Sequence, residues 1–183
     1  MFFSESPEKK QIRSKIRNKS ITNYISNDHK TILHCGIGDR GKSLLNFLIE
    51  NYPDVNYLGI DADSLPVEIN LPENFSLEKK DIQSFLEESI ENQKRFDWLI
   101  LTGVLDKNVY GDNQYEFVDT FLRKCLEISK EGIVISFNTY QTNEDDKYNV
   151  EFLIAYINSM YASYNIHRVN DNEYVITLFS RFY

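Results

Sequence analysis

A chain of 183 residues, 42% hydrophobic and 14% aromatic, carries enough apolar material for one sizeable core and too little length for two. Its 28 Asp+Glu against 20 Lys+Arg leave a net charge of -8, which argues against broad nucleic-acid binding, because phosphate contacts need a basic footprint. No run approaches the ~20 apolar residues of a membrane span, and Met1-Phe2-Phe3 gives way at once to polar residues, so a soluble, cytoplasmic protein is expected.

The first segment, 1–26, is the basic exception, with Lys9, Lys10, Arg13, Lys15, Arg17 and Lys19 close together. It predicts a helix from about Pro7 to Ile25 that packs on the remaining domain, 27–183, through Ile12 and Ile16, four residues apart, and leaves its charges in solvent. The same charges leave open a second role, holding an anionic substrate or closing over a ligand.

From Thr31 to Asp63 the chain reads strand, glycine turn, helix, strand, acid. A short apolar strand over 31–35 meets Gly36, Gly38 and Gly41, and an amphipathic helix follows, with Leu44, Leu45, Leu48 and Ile49 on one stripe and its end before Pro53. A second strand over 56–61 closes on Asp61. Glycines let backbone N–H groups approach a ligand at a helix N-terminus, and an acid at the next strand's tip can accept both hydroxyls of a ribose. The layout therefore points to a nucleoside ligand in a doubly wound sheet. Of the two cysteines, Cys35 is expected in the glycine turn and Cys125 on a helix as a small packing residue, and neither has metal-ligand spacing.

Pro66 and Pro72 leave room only for a stub of helix around Val67 to Asn70. A weaker strand follows over 75–80, then a helix that Asp81 can cap, with Ile82, Phe85, Leu86 and Ile90 as its stripe. Trp98-Leu99-Ile100-Leu101 is a continuous apolar run of the kind found in a strand covered on both faces. Phe117, Phe121, Leu122, Cys125, Leu126 and Ile128 recur at helical spacing, and Gly132 is expected to end that helix before a strand at Ile133–Phe137. Another helix is predicted over about 148–160. The chain then turns to two strands, Tyr164–Val169 and Glu173–Phe182, around the tight turn Asn170-Asp171-Asn172.

In this order the segments resemble a class I S-adenosylmethionine-dependent methyltransferase, with an atypical first motif. H-C-G-I-G-D-R-G occupies the family's glycine-rich first motif and L-G-I-D-A-D its acidic second. K-K-D-I matches the segment beside the adenine, F-D-W-L-I-L-T-G-V-L resembles the fourth strand, and I-S-K-E-G-I-V-I-S-F is similar to the turn into the fifth. The resemblance spans about Thr31 to Tyr183. It implies an α/β fold with a seven-stranded, mostly parallel sheet in the order 3-2-1-4-5-7-6, helices on both faces and a C-terminal antiparallel hairpin.

By the same resemblance the cofactor is S-adenosyl-L-methionine. Gly36 and Gly38 would line its methionine and ribose portion, Asp61 would take the ribose hydroxyls, and Asp81 with the Ile82 amide would meet the adenine edge. Thr102, Gly103 and Val104 would lie near the methionine part and the departing methyl group. Two residues depart from the pattern. His34 stands where the family usually has an acid, and is either a cofactor contact or a polar core residue satisfied by a backbone group. Arg40 stands where the third glycine commonly sits, and the segment between Asp63 and Phe75 is short, which would open the adenine side.

The acceptor half is less legible, because in-line methyl transfer depends on alignment and needs a base only for a protonated nucleophile. The N/D-P-P-Y/F motif is absent after strand four, where the chain reads T-G-V-L-D-K-N-V-Y-G-D-N, and no acidic metal cluster is identifiable. Asp106, Tyr110, Asn138 and Tyr140 fall at the right ends of strands four and five, and Asp106 or Tyr140 could orient or deprotonate a hydroxyl. The expected function is transfer of a methyl group to a small-molecule acceptor such as a sugar or other metabolite hydroxyl. A catalytically silent domain that binds a nucleoside ligand or a protein partner remains open, as does an NAD-dependent oxidoreductase with the same glycine spacing. The oligomeric state is left open as well.

Overall fold

The computed structural model describes residues 6–38, 41–66, 69–105, 114–138, 150–161 and 163–180. Seven strands and five helices alternate along them: α1 (Pro7–Ile21), β1 (Thr31–Cys35), α2 (Lys42–Asn51), β2 (Asn56–Asp61), β3 (Phe75–Lys79), α3 (Ile82–Glu91), β4 (Phe96–Thr102), α4 (Gln114–Glu127), β5 (Ser129–Asn138), α5 (Val150–Met160), β6 (Tyr164–Asn170) and β7 (Glu173–Phe179). The strands form one sheet in the order β3-β2-β1-β4-β5-β7-β6. β1 to β5 are parallel, and β7 runs antiparallel to both β5 and β6. This is the seven-stranded α/β architecture expected from the sequence, including the reversed terminal hairpin.

Alternation along the central strands sends successive side chains to opposite faces, and each face has its own core. Leu33, Cys35, Leu99, Leu101, Ile133 and Ile135 pack with residues of α3, α4 and α5. Ile32, Trp98, Ile100 and Val134 pack on the other face with residues of α2 and with Ile21 of α1. Both cysteines are free and buried in the first of these cores, where burial pushes both thiols well above their usual range. Cys35 closes β1 and is not part of the turn that follows.

Four further expectations are corrected. Gly132 does not end α4; it lies inside β5, which begins three residues earlier, at Ser129. A Cβ there would fall 2.2 Å from the Leu178 carbonyl oxygen and 3.0 Å from the Trp98 ring, so the glycine marks a close approach of β7 and not a helix cap. The N-terminal helix stops at Ile21, where Thr22 turns its backbone N–H back to the Asn18 carbonyl. Its apolar pair is also on the wrong side, with Ile12 60% and Ile16 44% exposed. The contacting stripe is Ser14, Arg17, Asn18 and Ile21, an i, i+3, i+4, i+7 series that is mostly polar. Asn18 Nδ2 donates to the Ser43 carbonyl at 3.1 Å, and Ser14 shares a hydrogen bond with the Ser43 hydroxyl. Ile69 and Asn70 are not helical, and Val67 lies outside the described residues.

Local chemistry explains the elements that frame the site. Ser6 caps α1 by accepting from the Lys9 N–H, with Pro7 as the first helical residue. The β6–β7 turn is two residues long, and Asn170 Oδ1 accepts from the Asn172 N–H at 2.8 Å in the manner of an Asx-turn. That turn fixes Glu173 as the first residue of β7, opposite Asn138 at the carboxyl end of β5.

Candidate functional site

The carboxyl ends of the parallel strands open onto a cavity of about 570 Å³, within the range of small-molecule sites and at the place where strand order reverses between β1 and β4. Its wall is built first from the turn after β1. Gly36 has φ +77°, donates its N–H to the Ile60 carbonyl at 3.0 Å, and leaves no room for a side chain: a Cβ would lie 2.2 Å from the Thr102 carbonyl oxygen. Gly38, at φ +37°, is different. Its Cβ would meet nothing closer than Asp61 Oδ2 at 3.7 Å, so its bare backbone leaves open a cradle that a side chain would begin to fill.

Asp61 ties this turn to the tip of β2. Its Oδ2 accepts from the Gly38 N–H at 3.0 Å, and its Oδ1 accepts from the N–H groups of Asp63 at 2.9 Å and Ser64 at 3.1 Å. A carboxylate offers roughly four acceptor positions, so three are engaged and one side remains for a donor from the cavity. Thr102, Gly103 and Val104 form the wall at the tip of β4, and Ile82 of α3 lines the cavity opposite.

His34 does not line the cavity. It is fully buried beneath it, on the face covered by α1 and α2, and its two ring nitrogens are 2.6 Å from the Tyr57 hydroxyl and 2.7 Å from Thr102 Oγ1. Thr102 Oγ1 in turn donates to the Gly36 carbonyl at 2.8 Å. Because that proton is committed, Thr102 must accept from His34 Nε2–H, and Nδ1 must accept from Tyr57. The ring is thereby fixed as one neutral tautomer. Burial first, and then the Arg17 charge, push its pKa down to about 3, against a smaller opposing pull from Asp61. His34 reaches the cavity only through Thr102 and brings no charge to it.

Asp81 is an N-cap. Its Oδ1 accepts from the Ser84 N–H and hydroxyl, both at 2.9 Å, and these contacts, the backbone one first, hold its carboxyl below the usual range. Of the pair assigned to the adenine edge, Ile82 lines the cavity and Asp81 does not. Asp106, Tyr110 and Tyr140 lie outside the described residues, as do Arg40 and the side chain of Asn138.

Two functional candidates come from elements that the motifs do not cover. Arg17 of α1 and Glu173 of β7 both line the cavity, with Arg17 Nη1 3.7 Å from Glu173 Oε1. Hydrophobic periodicity passes over Arg17, because the face it shares with Ser14 and Asn18 is polar. Its one available signal is the i, i+3, i+4, i+7 spacing that ends on Ile21. Glu173 is marked only by following the turn signal Asn170-Asp171-Asn172.

No protein-family model matches the sequence, and no curated protein does. Among solved structures, the chain is similar to human methyltransferase-like protein 13 in complex with SAH, with a TM-score of 0.61 at 13% identity over 96% of this chain and 82% of that one. At that identity the likeness shows the fold alone, which the two chains share.

Proposed function

We propose that the chain is an S-adenosylmethionine-dependent methyltransferase that acts on a small-molecule acceptor. The observation that carries the reading is convergence: one cavity at the switch point joins the glycine turn, Asp61 and the tip of β4. A nucleoside fits this donor set, because Asp61 keeps an acceptor position toward the cavity and Gly38 keeps its cradle open. The neighbour's complex with SAH, S-adenosylhomocysteine, supports the same ligand.

In this reading Asp61 takes a ribose hydroxyl at its remaining acceptor position, Gly36 and Gly38 border the ribose and methionine portion, and Ile82 packs on the adenine. The bound cofactor supplies an electrophilic methyl group on a sulfonium. Thr102, Gly103 and Val104 would wall the path by which an acceptor atom approaches that methyl in line with the breaking bond, and alignment of this kind supplies much of the rate. If the acceptor is a hydroxyl, such as that of a sugar or other metabolite, Asp106 and Tyr140 are the sequence-based candidates to receive its proton. The cytoplasm is the compartment we assign, on composition alone.

His34 favours a second reading. A neutral, sealed imidazole offers no counter-charge where the family's acid normally organises donors around the ammonium end of the cofactor, which suits a domain that binds a nucleoside or a partner without turnover. Titration calorimetry with S-adenosylmethionine, S-adenosylhomocysteine and, in parallel, NAD separates the readings. Heat with the first two, weakened about tenfold or more in Asp61→Asn, is the expected result for loss of one charge-assisted contact. No heat at millimolar ligand with folded protein would overturn the enzyme reading, and heat with NAD alone would replace it with an oxidoreductase.

A further inference from the structure

The lining of the cavity extends past the residues assigned to the nucleoside. Beside the tip of β4 that lining includes Ser136 and Phe137 of β5, Glu173 of β7 and Arg17 of α1. Ser136 is 7% exposed, and Phe137 is buried and stacked on Tyr174 at 5.8 Å. Glu173 accepts from Asn170 Nδ2 at 3.1 Å through Oε2 and presents Oε1 toward Arg17. At 3.7 Å the Arg17–Glu173 contact is an ion pair without a hydrogen bond between those two atoms. A largely buried ion pair contributes little net stability, since the cost of taking two charges out of water offsets their attraction. Its position in the cavity wall sets a cationic donor beside an anionic acceptor where a ligand can meet both.

We propose that Arg17 and Glu173 form the acceptor-recognition pair, and that the acceptor is a neutral, polyhydroxylated molecule of the sugar class. This rests on the methyltransferase reading and deepens it. A guanidinium only donates and an ionised carboxylate only accepts, whereas each hydroxyl does both. Two neighbouring hydroxyls of one ligand satisfy both partners at once, one accepting from Arg17 and the other donating to Glu173. An ionised acceptor bridging the pair would set a cationic group against Arg17 or an anionic one against Glu173, a penalty that a pair of neutral hydroxyls avoids. Among the described lining residues Arg17 is the one basic side chain against Asp61, Asp63 and Glu173, so an anionic acceptor meets an unfavourable field. The N-terminal helix thereby becomes part of the site, since the stripe that packs on the domain through Asn18 and Ile21 also brings Arg17 to the cavity.

Saturation-transfer NMR on protein loaded with S-adenosylhomocysteine tests this, with the methyl glycosides of glucose, galactose and rhamnose as neutral probes and glucuronate and glucosamine as charged ones. We expect at least one neutral glycoside to bind, and to bind about tenfold or more weakly in Arg17→Met and in Glu173→Gln, as for loss of one charge-assisted hydrogen bond. Affinity for S-adenosylhomocysteine should stay within about threefold in both variants. Arg17→Lys, which keeps the charge, serves where Arg17→Met fails to fold. The proposal is overturned if no neutral glycoside binds, if only a charged probe binds, or if the glycoside signal survives both substitutions. It is also overturned if the variants weaken S-adenosylhomocysteine but not adenosine, because the pair would then hold the amino-acid end of the cofactor. Failure of S-adenosylhomocysteine to bind at all removes the methyltransferase reading. The glycosides titrated into the unloaded protein then still decide the pair: binding that depends on Arg17 supports it, and no binding sinks it.

Discussion

Tyr57 and His34 meet 2.6 Å apart in the core, and the tyrosine hydroxyl supplies the proton that His34 Nδ1 accepts. Their contact begins a directed chain that runs through Thr102 to the carbonyl of Gly36, and so couples the interior of the sheet to the turn that borders the cavity. Tyr57 is also stacked on Phe75 at 5.2 Å, which a phenylalanine at position 57 would preserve. Tyr57→Phe should therefore remove one donor and little packing. Leaving a buried nitrogen without its partner costs about 1–3 kcal/mol, so the urea midpoint should fall with the m-value unchanged. An unchanged midpoint would show that the Nδ1 contact contributes nothing.

His34 also sets an acid limit on stability. Its pKa is near 6.5 in the unfolded chain and about 3 in the folded one, with burial as the main cause and Arg17 as the second. Across that window the unfolded state binds the extra proton, so stability is fully present above about pH 6.5 and falls as pH drops toward 3. At pH 5 the loss from this group is about 2 kcal/mol. His34→Gln should be less stable than the parent at pH 7 yet lose less on acidification. Urea titrations of both proteins at pH 7 and pH 5 give the comparison, and equal losses in the two would mean that another group sets the limit.

Gly36 and Gly38 predict opposite behaviour for one substitution. Gly36→Ala forces a Cβ to 2.2 Å from a backbone oxygen at φ +77°, and the neighbour is a strand end that cannot yield. We expect destabilisation beyond about 2 kcal/mol and loss of ligand binding through loss of the turn. Gly38→Ala meets only an ordinary contact at 3.7 Å and has the strain of φ +37°. Its thermal midpoint should drop less than that of Gly36→Ala, while S-adenosylhomocysteine binding weakens because the methyl group enters the cradle. Calorimetry beside thermal melts separates the two effects; a Gly38 variant that binds as the parent does would remove the cradle from the site.

The frame of the fold is legible in the sequence because it is written in periodicity and punctuation. β1 and β2 fall on the residues where the apolar runs predict them, and the hairpin follows from Asn170-Asp171-Asn172. Gly132 misleads for a physical reason: a glycine after a helical pattern usually marks a cap, whereas here it relieves a clash between strands that are distant in sequence. The site divides along the same line. Gly36, Gly38, Asp61 and Thr102–Val104 lie at element ends within motifs and converge on the cavity. Arg17 and Glu173 converge there through tertiary packing of the first helix and the last strand, which no local pattern encodes. His34 is legible as a departure but not as a buried relay, since its partners Tyr57 and Thr102 are 23 and 68 residues away.

The orientation of α1 can be tested without any ligand. If Ile12 and Ile16 fastened the helix to the domain, charging either would be costly; with both exposed, they have little to lose. Ile12→Glu and Ile16→Lys should each change unfolding free energy by no more than about 0.5 kcal/mol, as surface substitutions do. Ile21 is fully buried with Leu44, Leu45 and Leu48 in the same core, and Ile21→Ala should cost about 2–5 kcal/mol. Urea unfolding of the three variants reads out the contrast directly. Losses of about 2 kcal/mol or more at positions 12 and 16 would place the apolar pair against the domain, turn the helix over, and carry Arg17 away from Glu173.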